Sequence, residues 1–183
     1  MNIETVNPAE TLDAGIVARS DLVEAMDVQG RYAVECVGPD GVVKWVEELD
    51  NLVTTVGKNS LLDKFLDLGS AHTAIHMGLK SAGTAVVGDT MTSHASWTEP
   101  AIVAARLVPA FSVAAAGSKV TSAAVSFAIN SGTNTVVAGV FIVMSGTSAI
   151  ANTTGVLYSA GDFASTKTVS SGDTLNVTYT ASA

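Results

Sequence analysis

Charge is scarce in this chain. Asp, Glu, Lys and Arg make up 14% of its 183 residues, against roughly 25% in an average soluble domain. Basic residues are the scarcer kind, 9 against 17 acidic ones, for a net charge of −8. That excludes the basic footprint on which nucleic-acid binding depends. Cys36 is the only cysteine, so neither an intrachain disulfide nor a cysteine zinc site can form. It falls in an alternating strand pattern and reads as a small core residue. Apolar runs are broken by Gly and Ser well short of the ~18 residues of a membrane helix. The start, MNIETVNPAE, has neither the basic residues nor the apolar run of a signal peptide. The chain therefore reads as made and used without secretion and with no membrane partner. Trp45 and Trp97 are the two tryptophans, too few for a platform that stacks bases.

What is present is apolar and segmental. Hydrophobic residues reach 48%, enough for one domain with a proper core. Residues 1–28 form a segment of their own. Glu4, Glu10, Asp13, Asp21, Glu24 and Asp27 face only Arg19 there. Ser20 can cap a short helix whose first turn holds Asp21 and Glu24. Leu22, Val23 and Met26 give that helix one apolar face. A helix this short is marginal alone, so residues 1–28 read as a docking arm with those three as contact residues.

From residue 29 to 183 the pattern is that of one β domain. Tyr32, Val34 and Cys36 alternate with Arg31, Glu35 and Val37. Gly38-Pro39-Asp40-Gly41 has the chemistry of a tight turn, and Val42 to Glu48 returns as a second strand. Asn51 to Thr54 reads as a further short strand. Leu61, Leu62, Phe65, Leu66 and Leu68 recur at helical spacing, which predicts one helix over 57–68, stopped by Gly69. A strand follows from Thr73, then a long loop over 81–100. Strands are expected at 102–107, 111–115, 119–129, 134–144, 155–159 and 174–182, with turns at Asn130–Gly132 and Ser170–Asp173. The fold class is mainly β, an antiparallel β-sandwich of jelly-roll or immunoglobulin-like kind.

No residue set carries chemistry. His72 and His76 have the spacing of a helical zinc motif but lie at a strand start, where positions four apart are about 13 Å from each other. Gly83 to Gly88 has the glycine spacing of a phosphate loop, yet Asp89-Thr90 follows in place of Lys-Ser/Thr. Ser93 and His94 are neighbours that do not face one another on an extended chain. Asp89, Asp162 and Asp173 sit beside glycines without the spacing of a calcium site. A glycan hydrolase needs paired carboxylates in a cleft, and after Pro100 only Asp162 and Asp173 are acidic. The reading is no enzyme, with no catalytic residue, cofactor or metal. Trp97, in its loop, is the expected interface anchor.

Three stretches carry a resemblance. TVGKNSLLDKFL after KWVEELDNLV, then GLKSAGTAVVGDTMTSHASWTE, and the close LYSAGDFASTKTVSSGDTLNVTYTASA resemble recurring patterns in virion structural proteins of tailed bacteriophages. The similarity runs over roughly residues 30 to 183 and brings no catalytic residues with it. It implies a virion protein assembled in the bacterial cytoplasm. The leading expectation is a capsid decoration (cement) protein that braces the major capsid protein. The alternative is a tail or neck appendage, a fibre adaptor or receptor-binding subunit, for which the 81–100 loop would serve. Copy number per particle separates the two. The chain's low charge points the same way. Val120–Asn130 and Thr135–Ser145 hold no charged residue, and polar Ser, Thr and Asn are cheaper to cover than Lys or Glu. A homo-oligomer, a trimer, is expected.

Overall fold

The computed structural model describes residues 28–66 and 72–183. The predicted arm up to Asp27, with Leu22, Val23 and Met26, lies outside the described residues, as does Gly69.

The hairpin read from the sequence starts the sheet. β1 (Gln29–Val37) and β2 (Val43–Val53) pair antiparallel, and Tyr32, Val34 and Cys36 turn inward and are buried. The Gly38 N–H donates to Val42 O at 2.8 Å, and Asp40 Oδ1 accepts from the Val42 N–H at 3.0 Å, which closes the turn that Pro39 and Gly41 favour. The other strands are β3 (Ile75–Lys80), β4 (Ser118–Val120), β5 (Val125–Ala128), β6 (Thr135–Met144), β7 (Val156–Val169) and β8 (Thr174–Ser182). They form one antiparallel sheet in the order β3-β6-β7-β2-β1-β8-β4, with β5 also on β8. The sheet curls into a half-barrel, the mainly β, sandwich-like fold expected, with one short helix.

β2 makes the curl. It pairs with β1 as far as Asp50 and then with β7 through Asn51, Leu52 and Val53. The two halves therefore face each other over a shared core. Tyr32, Val34, Leu49 and Val177 come from one side, and Met77, Leu79, Val140 and Ile142 from the other. The sheet bends at a pair of glycines. A Cβ on Gly139 would collide with the Gly161 carbonyl, and one on Gly161 would lie 2.7 Å from Leu49 Cδ1. The β6–β7 ladder shifts register between Val137 and Gly139, as at a β-bulge. This corrects the strand expected to end at 159. Gly161 is a point of close approach within a strand that continues to Val169.

The helix, α1 (Thr55–Phe65), begins two residues earlier than expected. The Thr54 hydroxyl accepts from the Gly57 N–H at 3.1 Å and donates to the Leu157 carbonyl, capping the helix and tying it to β7. Gly57 lets it lie close, since a Cβ there would strike the Tyr158 carbonyl. The helix does not bury its whole apolar stripe. Leu61 packs on the core, while Leu62 is 48% and Leu66 65% exposed.

Two segments depart from the expected strands. Residues 102–107 and 111–115 are irregular and touch the sheet through isolated bridges, Met77 to Leu107, Phe111 to Thr121 and Ala115 to Ser118. This stretch runs first along the outer edge of β3 and then along that of β4. The expected strand over 119–129 is two short ones, broken at 121–124.

Candidate interaction surfaces

The 81–100 loop is a lid. It folds across the outside of β6 and β7, where Ala85, Met91 and Trp97 pack on Phe141, Val143, Leu157 and Ala160. Trp97 is 2% exposed, so its expected role as an interface anchor is corrected: it anchors the lid within its own chain. Its indole N–H donates to Asp89 Oδ2 at 2.9 Å, and the same oxygen accepts from the Val86 N–H at 3.0 Å. His94 stacks on the indole with ring centroids 4.1 Å apart, and its Nδ1 lies 2.9 Å from the Trp97 carbonyl oxygen.

The lid is also stapled by charge. The Lys80 ammonium, fully buried, lies 2.7 Å from Asp162 Oδ1, and Asp162 Oδ2 accepts from the Ala85 N–H at 2.8 Å. Arg106 makes a bidentate pair with Glu99, both side chains buried, and donates to Asn152 O at 2.6 Å. Elsewhere Lys44 lies 2.6 Å from Asp173 Oδ1, and Lys167 lies 2.9 Å from Glu47. Burial alone would raise the Asp173 carboxyl. The Lys44 ammonium and the Ser170 N–H outweigh it and hold the group below its ordinary value. Of the five charged side chains after Pro100, all but Lys119 sit in an ion pair among the described residues. The scarce charge after Pro100 is thus nearly all paired.

The residues weighed for chemistry are dispersed. His72 lies between the hydroxyls of Ser60 and Ser145, at 2.9 and 3.0 Å. His76 is buried instead, and desolvation first, with Arg106 adding to it, lowers its pKa. Asp89, Asp162 and Asp173 each have separate partners, as above. Burial pushes the Cys36 thiol up to about 11, which leaves it protonated and unreactive. Among the described residues no three His, Cys, Asp or Glu side chains lie close enough to hold a metal ion.

β6 is buried on both faces from Val137 to Met144. The lack of charge over Thr135–Ser145 is thereby explained within one chain, and that part of the oligomer argument falls away. Two surfaces remain open. The first is the outer face of β2, β1, β8 and β5. The ladders align Val46, Glu35, Asn176 and Ser126 in one row across it. Ser126 donates to Asn176 Oδ1 at 2.7 Å, and Asn176 donates to Glu35 at 3.4 Å, so the one acid in the row has a partner. Ala33, Ala124 and Thr178 flank the row and shape a shallow hollow of about 440 Å³. Arg31, Glu48 and Asp50 pair with one another at its side. Small side chains around a single hydrogen-bonded acid at the centre, with ion pairs at the margin, is a layout an interface can use.

The second surface is a groove of about 440 Å³ between α1 and the ends of β4 and β8, its exposed wall nearly all apolar. Leu61 and Leu62 line it from α1, Ala114 and Ala181 from the sheet end, and Val28 lines it too. Lys58 and Lys119 also line it. Sequence reasoning found neither surface, since each is assembled from strands and helices distant along the chain. No family model matches this chain, and no curated protein or solved structure matches it either.

Proposed function

We propose that this protein is a structural component of a tailed-bacteriophage virion, a decoration protein that binds the major capsid shell as a homo-oligomer, with a trimer as the working unit. The observation that carries the reading is the sparsely charged outer sheet face centred on the Val46–Glu35–Asn176–Ser126 row. Its Ala, Val, Ser, Thr and Asn side chains can be covered by another protein at low desolvation cost, and its one central acid, Glu35, keeps the Asn176 amide as a partner. The three stretches that resemble phage virion proteins supply the context. The appendage alternative drew on a long free loop over 81–100. That loop lies against its own sheet, which takes away the observation that favoured it.

The test is copy number and binding. Purified protein is mixed with shells of a phage that encodes it, and the bound copies are counted by quantitative mass spectrometry. A copy number comparable to that of the major capsid protein is expected. Val46→Lys and Ala124→Glu, both at exposed positions, should abolish binding without changing the melting temperature. A few copies confined to the neck or tail would refute the decoration reading.

A further inference from the structure

We infer that the groove between α1 and the β4–β8 end is the seat of residues 20–27 of the same chain. This stands apart from the virion reading and uses different observations. The first is connectivity. Val28, the first described residue, lines the groove, so the segment that precedes it starts beside the groove. Met26 lies two residues from Val28. At 1.5 Å per residue, a helix from Leu22 to Met26 is only about 6 Å long, so all three apolar residues stay within the groove's neighbourhood. The second is chemistry. The groove wall is apolar, and Leu22, Val23 and Met26 offer the apolar face of an otherwise polar segment. The third is charge. Asp21, Glu24 and Asp27 carry only negative charge into residues 20–27, and the groove lining holds Lys58 and Lys119, which make no ion pair among the described residues. The fourth is the half-used helix. Leu62 on α1 is 48% exposed toward this groove, an apolar surface that a second helix would cover.

The occupant is the chain's own segment rather than a neighbour's. A segment tethered two residues from the groove has an effective concentration that a free partner does not reach. The arm is then fastened at its base, and residues 1–19 are the part left to extend beyond the body.

Proteolysis of the full chain tests this. A glutamyl endoprotease can cut after Glu24, in the middle of the seated segment. The unaltered protein should resist cutting there. Leu62→Asp in the groove, and separately Met26→Asp in the arm, should each speed the cut about tenfold or more, the factor implied by losing one buried side chain. Leu62 is half exposed, so the fold should tolerate its change, and Met26 precedes the β domain in the sequence. Circular dichroism should be unchanged for both. Cutting of the unaltered chain at the rate of a free peptide spanning residues 15–30 would overturn the inference. So would protection that vanishes on dilution, which would assign the groove to a second copy's arm. Protection that neither substitution weakens would also overturn it.

Discussion

Replacing Glu99 by alanine should be among the most damaging single changes this protein can undergo. Both side chains of the Glu99–Arg106 pair are buried, at 3% and 0% exposure. Removing the carboxylate leaves a guanidinium in the interior over the Phe141 ring, 5.4 Å from its centroid, still bonded to the Thr147 and Asn152 carbonyls but with no counter-charge. Breaking one side of a buried pair costs about 3–5 kcal/mol. In a chain of this length each kcal/mol moves the melting temperature about 2–4 °C, so the expected fall is roughly 6–20 °C. The double change Glu99→Leu with Arg106→Met should recover most of that loss, since an apolar pair of similar volume is often neutral or better than a buried ion pair. The backbone groups it would strand, at Thr147, Ala151 and Asn152, are not buried and can turn to water. Urea unfolding of the two singles and the double closes the cycle. A Glu99→Ala loss below about 1 kcal/mol, or a double variant as unstable as the worse single, would refute the reasoning.

Trp97→Ala should cost about 3–5 kcal/mol and expose the 81–100 lid to proteases before the rest unfolds, read by mass spectrometry of early fragments. Acid should destabilise in two windows. His76 has its pKa lowered in the fold, so the unfolded chain binds that proton more readily, and stability present above about pH 6.5 is lost as pH falls below it. His76→Leu should flatten this part of the profile. Asp173 is also held low, so its contribution is present above its ordinary value of 3.8 and lost as pH falls further, and Lys44→Met should diminish it. Cys36 should react with a thiol reagent only at the rate of global unfolding, and fast labelling under native conditions would show the core to be open.

The sheet was legible wherever one face meets water. Tyr32, Val34 and Cys36 alternate with exposed neighbours, and Gly38 to Gly41 announce the turn, because local sterics decide both. Where both faces are buried the alternation disappears. Val136 to Met144 reads as an unbroken apolar run, the mark of a strand covered on each side, and it was the available sign that something must lie over it. The cover, Ala85, Met91 and Trp97, is spread over a loop whose Gly and Ser hid its apolar content. Ion pairs such as Lys80–Asp162 join positions far apart in the chain, which no local pattern encodes. Residues 102–107 and 111–115 were read as strands, though each meets a strand at only one or two positions.

That irregular stretch bears on how the protein behaves when crowded. The free edges of an open sheet can template the addition of further strands, the first step of fibre growth. Here the edge of β3 is engaged at Met77, whose N–H and carbonyl both bond Leu107 at 2.7 and 2.9 Å. The edge of β4 is engaged by Ser112 and Ala115, through bonds of 2.9 Å to Val120 and Ser118. One segment thus engages the edges of both β3 and β4. Loosening it, for example with Leu107→Pro, should shorten the lag before fibrils form in concentrated solution while leaving the outer sheet face as it was.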